Sequence, residues 1–353
     1  MAVVITLLVG FVSIFILQPL AINYGLVDQP DARKHHEGAI PLIGGMAIFF
    51  ALAVGCVWAF PNNLLINLYL ISAALIVFLG VLDDYHDLRV RIRVIAQALI
   101  AAILVFGAGH YLAQLGNILG TGPVGTFVFG PLLTILAVLA AINAFNMTDG
   151  IDGLAGSLAF TTFGSVALLW LMAGQLDLLL LPLVFIAALL PYLLFNLSLV
   201  PGPVKKIFMG DAGSMLIGLS VIWLLVLGTQ GEDAAFRPVT ALWIIAVPFL
   251  DMSAIVVRRI RKGQSPFKPD RNHLHHIFMR AGLGPRGALL VITLLSWVYA
   301  IVGMLGEVLQ IPEAIMFYLF VALFLVYTWC IHHIWRLLRF FHQRFSLPAF
   351  LQQ

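Results

Sequence analysis

Long apolar runs alternate along this chain with short polar ones, at a spacing set by the width of a membrane. A transmembrane helix takes roughly 20 consecutive, mostly apolar residues. Eleven stretches read this way: about 2–22, 41–60, 64–82, 94–114, 127–145, 154–173, 178–197, 212–229, 239–257, 288–306 and 313–335. The pattern predicts an all-α, polytopic membrane helix bundle of about eleven transmembrane helices. Pro131, Pro182, Pro191 and Pro248 fall inside these runs. They are tolerable there because neighbouring helices re-satisfy the carbonyls that a proline frees. No basic residue precedes the first run and no small-residue cleavage site follows it, so it reads as a retained span and not a signal peptide.

Composition sharpens this picture. Of 353 residues, 62% are hydrophobic and 10% charged, against about 25% charged in an ordinary soluble domain, which excludes that class. Cys56 and Cys330 both lie in apolar runs, at no metal-ligand spacing. Charge then orients the bundle. All nineteen Lys and Arg except Arg237 fall in the loops of one side or in the C-terminal segment on that side. Basic loops stay in the cytoplasm, so the N-terminus is expected to be periplasmic and the C-terminus cytoplasmic. The chain reads as a single transmembrane catalytic domain, 1–353, with cytoplasmic loops 23–40, 83–93, 146–153, 198–211 and 258–287 forming the active site.

The chemistry-bearing residues gather on that same side. From Asn143 to Gly156 the chain is polar and glycine-rich between two apolar runs. Such a mixture needs water or a ligand, because an unpaired polar group in hydrocarbon costs several kcal/mol. Asn146, Asp149 and Asp152 recur every three residues, which in a helix or tight turn puts them on a common side. Oxygen donors of this type suit magnesium. Asp83 and Asp84 end the third run. Neighbouring carboxylates repel, and a helix C-terminus disfavours anions, so they read as a general base with a metal-site or substrate-orienting partner, or as interfacial charge. Arg93 follows as a phosphate contact or a further topology-setting charge. Asp211, with Gly213 and Ser214, opens the eighth run, at a helix N-terminus suited to phosphate or to an ordinary N-cap. Phe208 reads as core, as interface or as a platform for a base, and Lys205 and Lys206 as lipid-headgroup contacts. The Gly44-Gly45 pair offers backbone to an anionic ligand. His273, His275 and His276 follow Arg271 in the longest cytoplasmic loop. No cysteine lies near and the other donors are hard oxygens, so a diphosphate suits them better than zinc. Asp251 lies within the ninth run and is a functional candidate by default, or a structural partner of Arg258 or Arg259.

Taken together, Asp28 to Gly45, Asp83 to Arg93, Asn143 to Gly156, Phe208 to Ser214 and Pro269 to His276 resemble the polyprenyl-phosphate N-acetylhexosamine-1-phosphate transferase family, over nearly the whole chain. The tract His273-Leu274-His275-His276 resembles the bacterial branch that starts enterobacterial common antigen and O-antigen lipopolysaccharide. The peptidoglycan branch is expected to carry three consecutive histidines. The resemblance implies transfer of GlcNAc-1-phosphate from UDP-GlcNAc to undecaprenyl phosphate, giving undecaprenyl-diphospho-GlcNAc and UMP. Other UDP-N-acetylhexosamines or UDP-MurNAc-pentapeptide are the alternative donors. It implies catalytic Asp83, Asp84 and Asp211, and a magnesium ion (manganese as its alternative) held by Asp211 with Asn146. Substrate contacts are implied at Asp149, Asp152, Phe208, Arg93, Arg271, His273, His275 and His276. It also implies membrane lipid and a second copy of the chain as partners, no nucleic acid, and a bacterial inner membrane with the site facing the cytoplasm. Between Asn196 and Asp211 the chain carries a longer, proline-containing insert than the peptidoglycan enzyme, so no role is carried over to Asn196. The rival readings are a secondary transporter and a non-catalytic lipid-binding scaffold. A transporter places its charges near mid-bilayer, and these gather at one surface.

Overall fold

A computed structural model describes residues 1–29, 38–201, 206–265 and 272–345, with side chains as far as Ile334 in the last helix. The chain is a bundle of thirteen α-helices among the described residues: α1 Ala2–Tyr24, α2 Gly44–Ala59, α3 Leu64–His86, α4 Val90–Ala102, α5 Gly130–Thr148, α6 Leu154–Met172, α7 Leu176–Asn196, α8 Gly210–Thr229, α9 Pro238–Ile244, α10 Ala246–Arg261, α11 Leu274–Arg280, α12 Pro285–Val308 and α13 Glu313–Phe345. Its described sheet is a two-residue antiparallel pair, β1 Val27–Asp28 with β2 Ile40–Pro41. Among the described residues nine helical segments are long and apolar enough to cross a membrane, and the all-α, multi-pass expectation holds.

Three of the eleven expected spans differ in form. The second is only the 16-residue α2. The fourth does not run to residue 114: α4 gives way to a single π turn, Ile103–Gly107, and Gly109 at φ 68° turns the chain out of the helix. The ninth is broken, with α9 and α10 meeting at 81°. Pro248 lies in the first turn of α10. Having no N–H, it leaves the Ile244 carbonyl without its helical partner, and the helix restarts one residue later.

Helix α8 is the axis of the molecule. In its apolar window 94% of residues are buried, against 22% in α13. A helix apolar all round belongs in the interior, whereas α13 keeps broad faces for lipid. Small residues let its neighbours approach. At Gly80 of α3 a Cβ would collide with the Ala212 backbone, and at Gly218 of α8 one would come 2.5 Å from the Ile142 Cα of α5. This is how membrane helices gain packing contact without a hydrophobic drive between them. Thr161, Thr162, Ser165, Ser220 and Thr229 each donate to the carbonyl four residues earlier, which accommodates their hydroxyls in an apolar interior.

The bundle has two polar ends. At one, Glu307 of α12 accepts from Arg237 Nε at 3.1 Å and from Thr240 Oγ1 at 2.6 Å, fastening the start of α9. At the other, the C-terminal ends of α3 and α5 meet the N-terminal end of α8.

Candidate active site

The helix ends place the acidic residues. Helix α3 runs on through the expected loop as far as His86, and Asp87, at φ 49°, caps it. Asp83 and Asp84 therefore stand in its last turn. Asp83, 4% exposed, accepts from the Leu88 N–H at 2.9 Å and from Arg93 Nη1 at 2.6 Å. Asp84 points across to α8, where its Oδ1 accepts the Asp211 N–H at 2.8 Å and its Oδ2 faces the Ala212 N–H at 3.4 Å. It thus supplies, from another helix, the N-terminal cap that α8 lacks on its own side chains. A carboxylate there meets free amides and the positive end of the helix dipole.

Asp211, in the first turn of α8, accepts from Asn146 Nδ2 at 2.6 Å, and Arg93 Nη1 lies 3.8 Å from its other oxygen. Asn146 belongs to the last turn of α5 and also donates to Ser214 Oγ at 3.1 Å. Asp83, Arg93, Asp211 and Asn146 thus form one junction drawn from α3, α4, α8 and α5.

The rest of the central stretch does not keep a single side. Asp149 caps α5, and its carboxyl is pushed up to about 7, first by burial and then by the charges of Asp84 and Asp152. Asp152 turns to Lys206, whose Nζ is 2.6 Å away. Lys206 also stands over the Phe208 ring, 5.0 Å from its centroid. So Lys206 belongs to the site and not to the headgroup region, while Lys205 lies outside the described residues. Phe208 is fixed by the first loop: its N–H donates to the Pro41 carbonyl and its own carbonyl accepts from the Gly44 N–H, both at 2.9 Å. The Gly45 N–H goes to the Met209 carbonyl at 3.0 Å. The Gly44 and Gly45 amides are thereby spent on the chain itself, which corrects their reading as an anion site.

The histidine tract opens the short helix α11. The Nδ1 atom of His273 lies 2.8 Å from Asp251 Oδ2. His275 is buried, 2% exposed, and its ring abuts Gly150, where a Cβ would collide with Nε2. That nitrogen has no hydrogen-bond partner among the described residues. Burial, then the adjacent His276, pushes the His275 imidazole down to about 3, so it is neutral. The His275 and His276 rings lie 4.2 Å apart. The tract is therefore brought onto the loop that carries Asp149 and Asp152. Arg271 lies outside the described residues.

Two contributors were given no role by the sequence. Asn196, 3% exposed, accepts the Gly153 N–H at 2.6 Å and donates to the Ile207 carbonyl at 2.8 Å. It braces the Asp152 turn against the segment before Phe208. Tyr327 of α13 donates to Asp251 at 2.8 Å. For Asn196 the available signal was an amide at the end of a span; Tyr327 lies within its span, where nothing in the pattern marks it out.

The donor set can be tested against magnesium. Among the described residues no group of three His, Cys, Asp or Glu side chains is arranged to hold a metal, so a closed protein cage is absent there. Magnesium seldom uses one; it takes one or two carboxylates with water and substrate phosphate. Asp211 with Asn146 fits that pattern. The acidic crowd of Asp83, Asp84 and Asp211 around the Arg93 guanidinium favours a further cation.

Comparison with known proteins places these residues in company. The glycosyl transferase family 4 model matches residues 66–229. The chain is 46% identical to the undecaprenyl-phosphate alpha-N-acetylglucosaminyl 1-phosphate transferase of Yersinia pestis, over 93% of this chain and 90% of that protein. It is 45% identical to the protein of the same name from Haemophilus influenzae, over 96% of each. With the one from Escherichia coli K12 it shares 43%, over 93% of this chain and 89% of that protein.

Proposed function

This chain belongs to glycosyl transferase family 4, and from that premise we propose that it transfers GlcNAc-1-phosphate from UDP-GlcNAc to undecaprenyl phosphate. The products are undecaprenyl-diphospho-GlcNAc and UMP, and the lipid feeds O-antigen or enterobacterial common antigen synthesis. The observation that carries this reading is the junction in which Arg93 and Asn146 both reach Asp211. One end of the bundle thereby gathers anion-binding and cation-binding groups at a single point.

The lipid side is supported by an apolar groove of about 320 Å³ lined by Ala137, Ala144, Ile222, Pro248, Phe249 and Met252. It lies against the α9–α10 break, and Ala144 brings it within two residues of Asn146. A polyprenyl chain fits such a wall, and its phosphate would emerge at the junction. The nucleotide side is supported by Phe208 with Asp152 and Lys206, where the ring offers a stacking face.

Two anions have to meet, so the site's work is positioning and charge compensation. Arg93 takes a phosphate oxygen while Asp83 holds the guanidinium in place. Asp84 fixes the first turn of α8, and hence Asp211. Asp211 and Asn146 would hold magnesium, or manganese, which supplies screening between the phosphates and a counter-charge for departing UMP. A separate base is a lesser need, because a phosphate monoester is mostly ionised near neutral pH. His275 offers its unpartnered Nε2 toward the loop beside the diphosphate position.

The test is UMP release by purified protein given undecaprenyl phosphate and a panel of UDP-sugars, with magnesium or with EDTA. Release that depends on UDP-GlcNAc, lipid and metal is expected. Absence of UMP with every donor would reject the reaction, and a transporter or scaffold gives that result.

A further inference from the structure

Asp251 lies in α10, 1% exposed, yet it collects three hydrogen bonds from two other elements. Its Oδ2 faces His273 Nδ1 at 2.8 Å. Its Oδ1 accepts the Leu274 N–H at 3.0 Å and the Tyr327 hydroxyl at 2.8 Å. A buried carboxylate is costly unless donors surround it, and this one is surrounded. The Leu274 amide is the first of α11, a helix of seven residues whose own N-cap side chain makes no capping bond. So short a helix has little stability by itself. Asp251, reached across from α10 and steadied by α13, therefore helps hold the N-terminus of α11. The same carboxylate selects the ring state of His273. A carboxylate only accepts, so Nδ1 carries the proton and Nε2 is the nitrogen presented elsewhere. Two residues on, His275 is set against Gly150, its own Nε2 without a hydrogen-bond partner among the described residues.

We propose that Asp251 is a positioning residue for the transfer reaction, acting through His273 to fix the register of the histidine tract against the Asp149–Asp152 loop. This rests on the transferase reading above. The substitution Asp251→Asn keeps the volume but puts an amide donor opposite His273 Nδ1, so His273 must change tautomer to keep the contact. Turnover per nucleotide-binding site, counted by UMP titration, should fall about 10²-fold, as for a misplaced reacting group. His273→Gln should lose a similar factor, and the double variant should be no slower than the slower single one. Losses that multiply, or wild-type turnover in Asp251→Asn, would overturn the proposal. If Asp251→Asn does not fold, the cycle is run with Tyr327→Phe, which keeps the carboxylate. A loss confined to the His273 background supports the proposal, and an unchanged turnover overturns it. Nitrogen-15 NMR of labelled histidine reads the link without catalysis: the signal absent in His273→Gln should switch ring state in Asp251→Asn, and no switch counts against the proposal. Should the wild type release no UMP, the transferase reading fails, while the NMR result still decides whether Asp251 governs His273.

Discussion

At the scale of single residues, the tandem aspartates part company. Asp83 is paired with Arg93 and the Leu88 amide, and Asp84 caps α8, whereas Asp211 accepts from the Asn146 amide and is the carboxylate proposed to hold the metal. Loss of a metal-holding charge should therefore cost more than loss of a candidate base. We expect Asp211→Asn to lower turnover by about 10²–10³-fold, the usual cost of removing one group that stabilises developing charge, and Asp83→Asn by less. Near-wild-type rate in Asp211→Asn rejects the metal assignment. Asp149 gives a pH effect of defined sign. Its carboxyl is raised from 3.8 to about 7 in the folded protein. The folded state therefore holds that proton after the unfolded chain has released it, and stability from this group is full below about pH 4 and lost as pH rises to about 7. Asp149→Asn should flatten this dependence and raise thermal stability at pH 8 by about 1 kcal/mol or more. Melting curves of the wild type and Asp149→Asn in detergent from pH 4 to 8 check it; the same pH dependence in both refutes the shift.

At the scale of elements, helix ends decide the site, and the break between α9 and α10 decides the groove. A periodicity reading sees 239–257 as one apolar span, because Pro248 alone does not distinguish a kink from a break. In the folded bundle the two halves meet at 81°. Pro248→Ala returns a donor to the Ile244 carbonyl and should favour a straighter path that narrows the groove wall. The expected result is a KM for undecaprenyl phosphate about tenfold higher, a cost of about 1.4 kcal/mol, with the KM for UDP-GlcNAc unchanged. An equal rise in both would remove the groove from the lipid's path.

At the scale of the whole molecule, the site lies at one polar end and the Arg237–Glu307 fastening at the other. With nearly all Lys and Arg in loops or the C-terminal segment on the site's side, and basic loops retained inside, inverted membrane vesicles should accept external UDP-GlcNAc. Right-side-out vesicles should not until they are permeabilised. Equal activity in both would invert the proposed orientation.

Much of this was legible beforehand, because the width of hydrocarbon and its intolerance of unpaired polar groups act on sequence directly. Apolar runs of the right length located the helices, and polar clusters between them located the end of the bundle where the site assembles. The bonds within that site were not legible. Whether Asp84 caps α8 or Lys206 meets Asp152, and whether Asp251 meets an arginine or His273, depends on contacts between residues 22 to 127 positions apart. Such pairings follow from how close glycine-lined helices can come, and that distance is set only when the whole bundle packs.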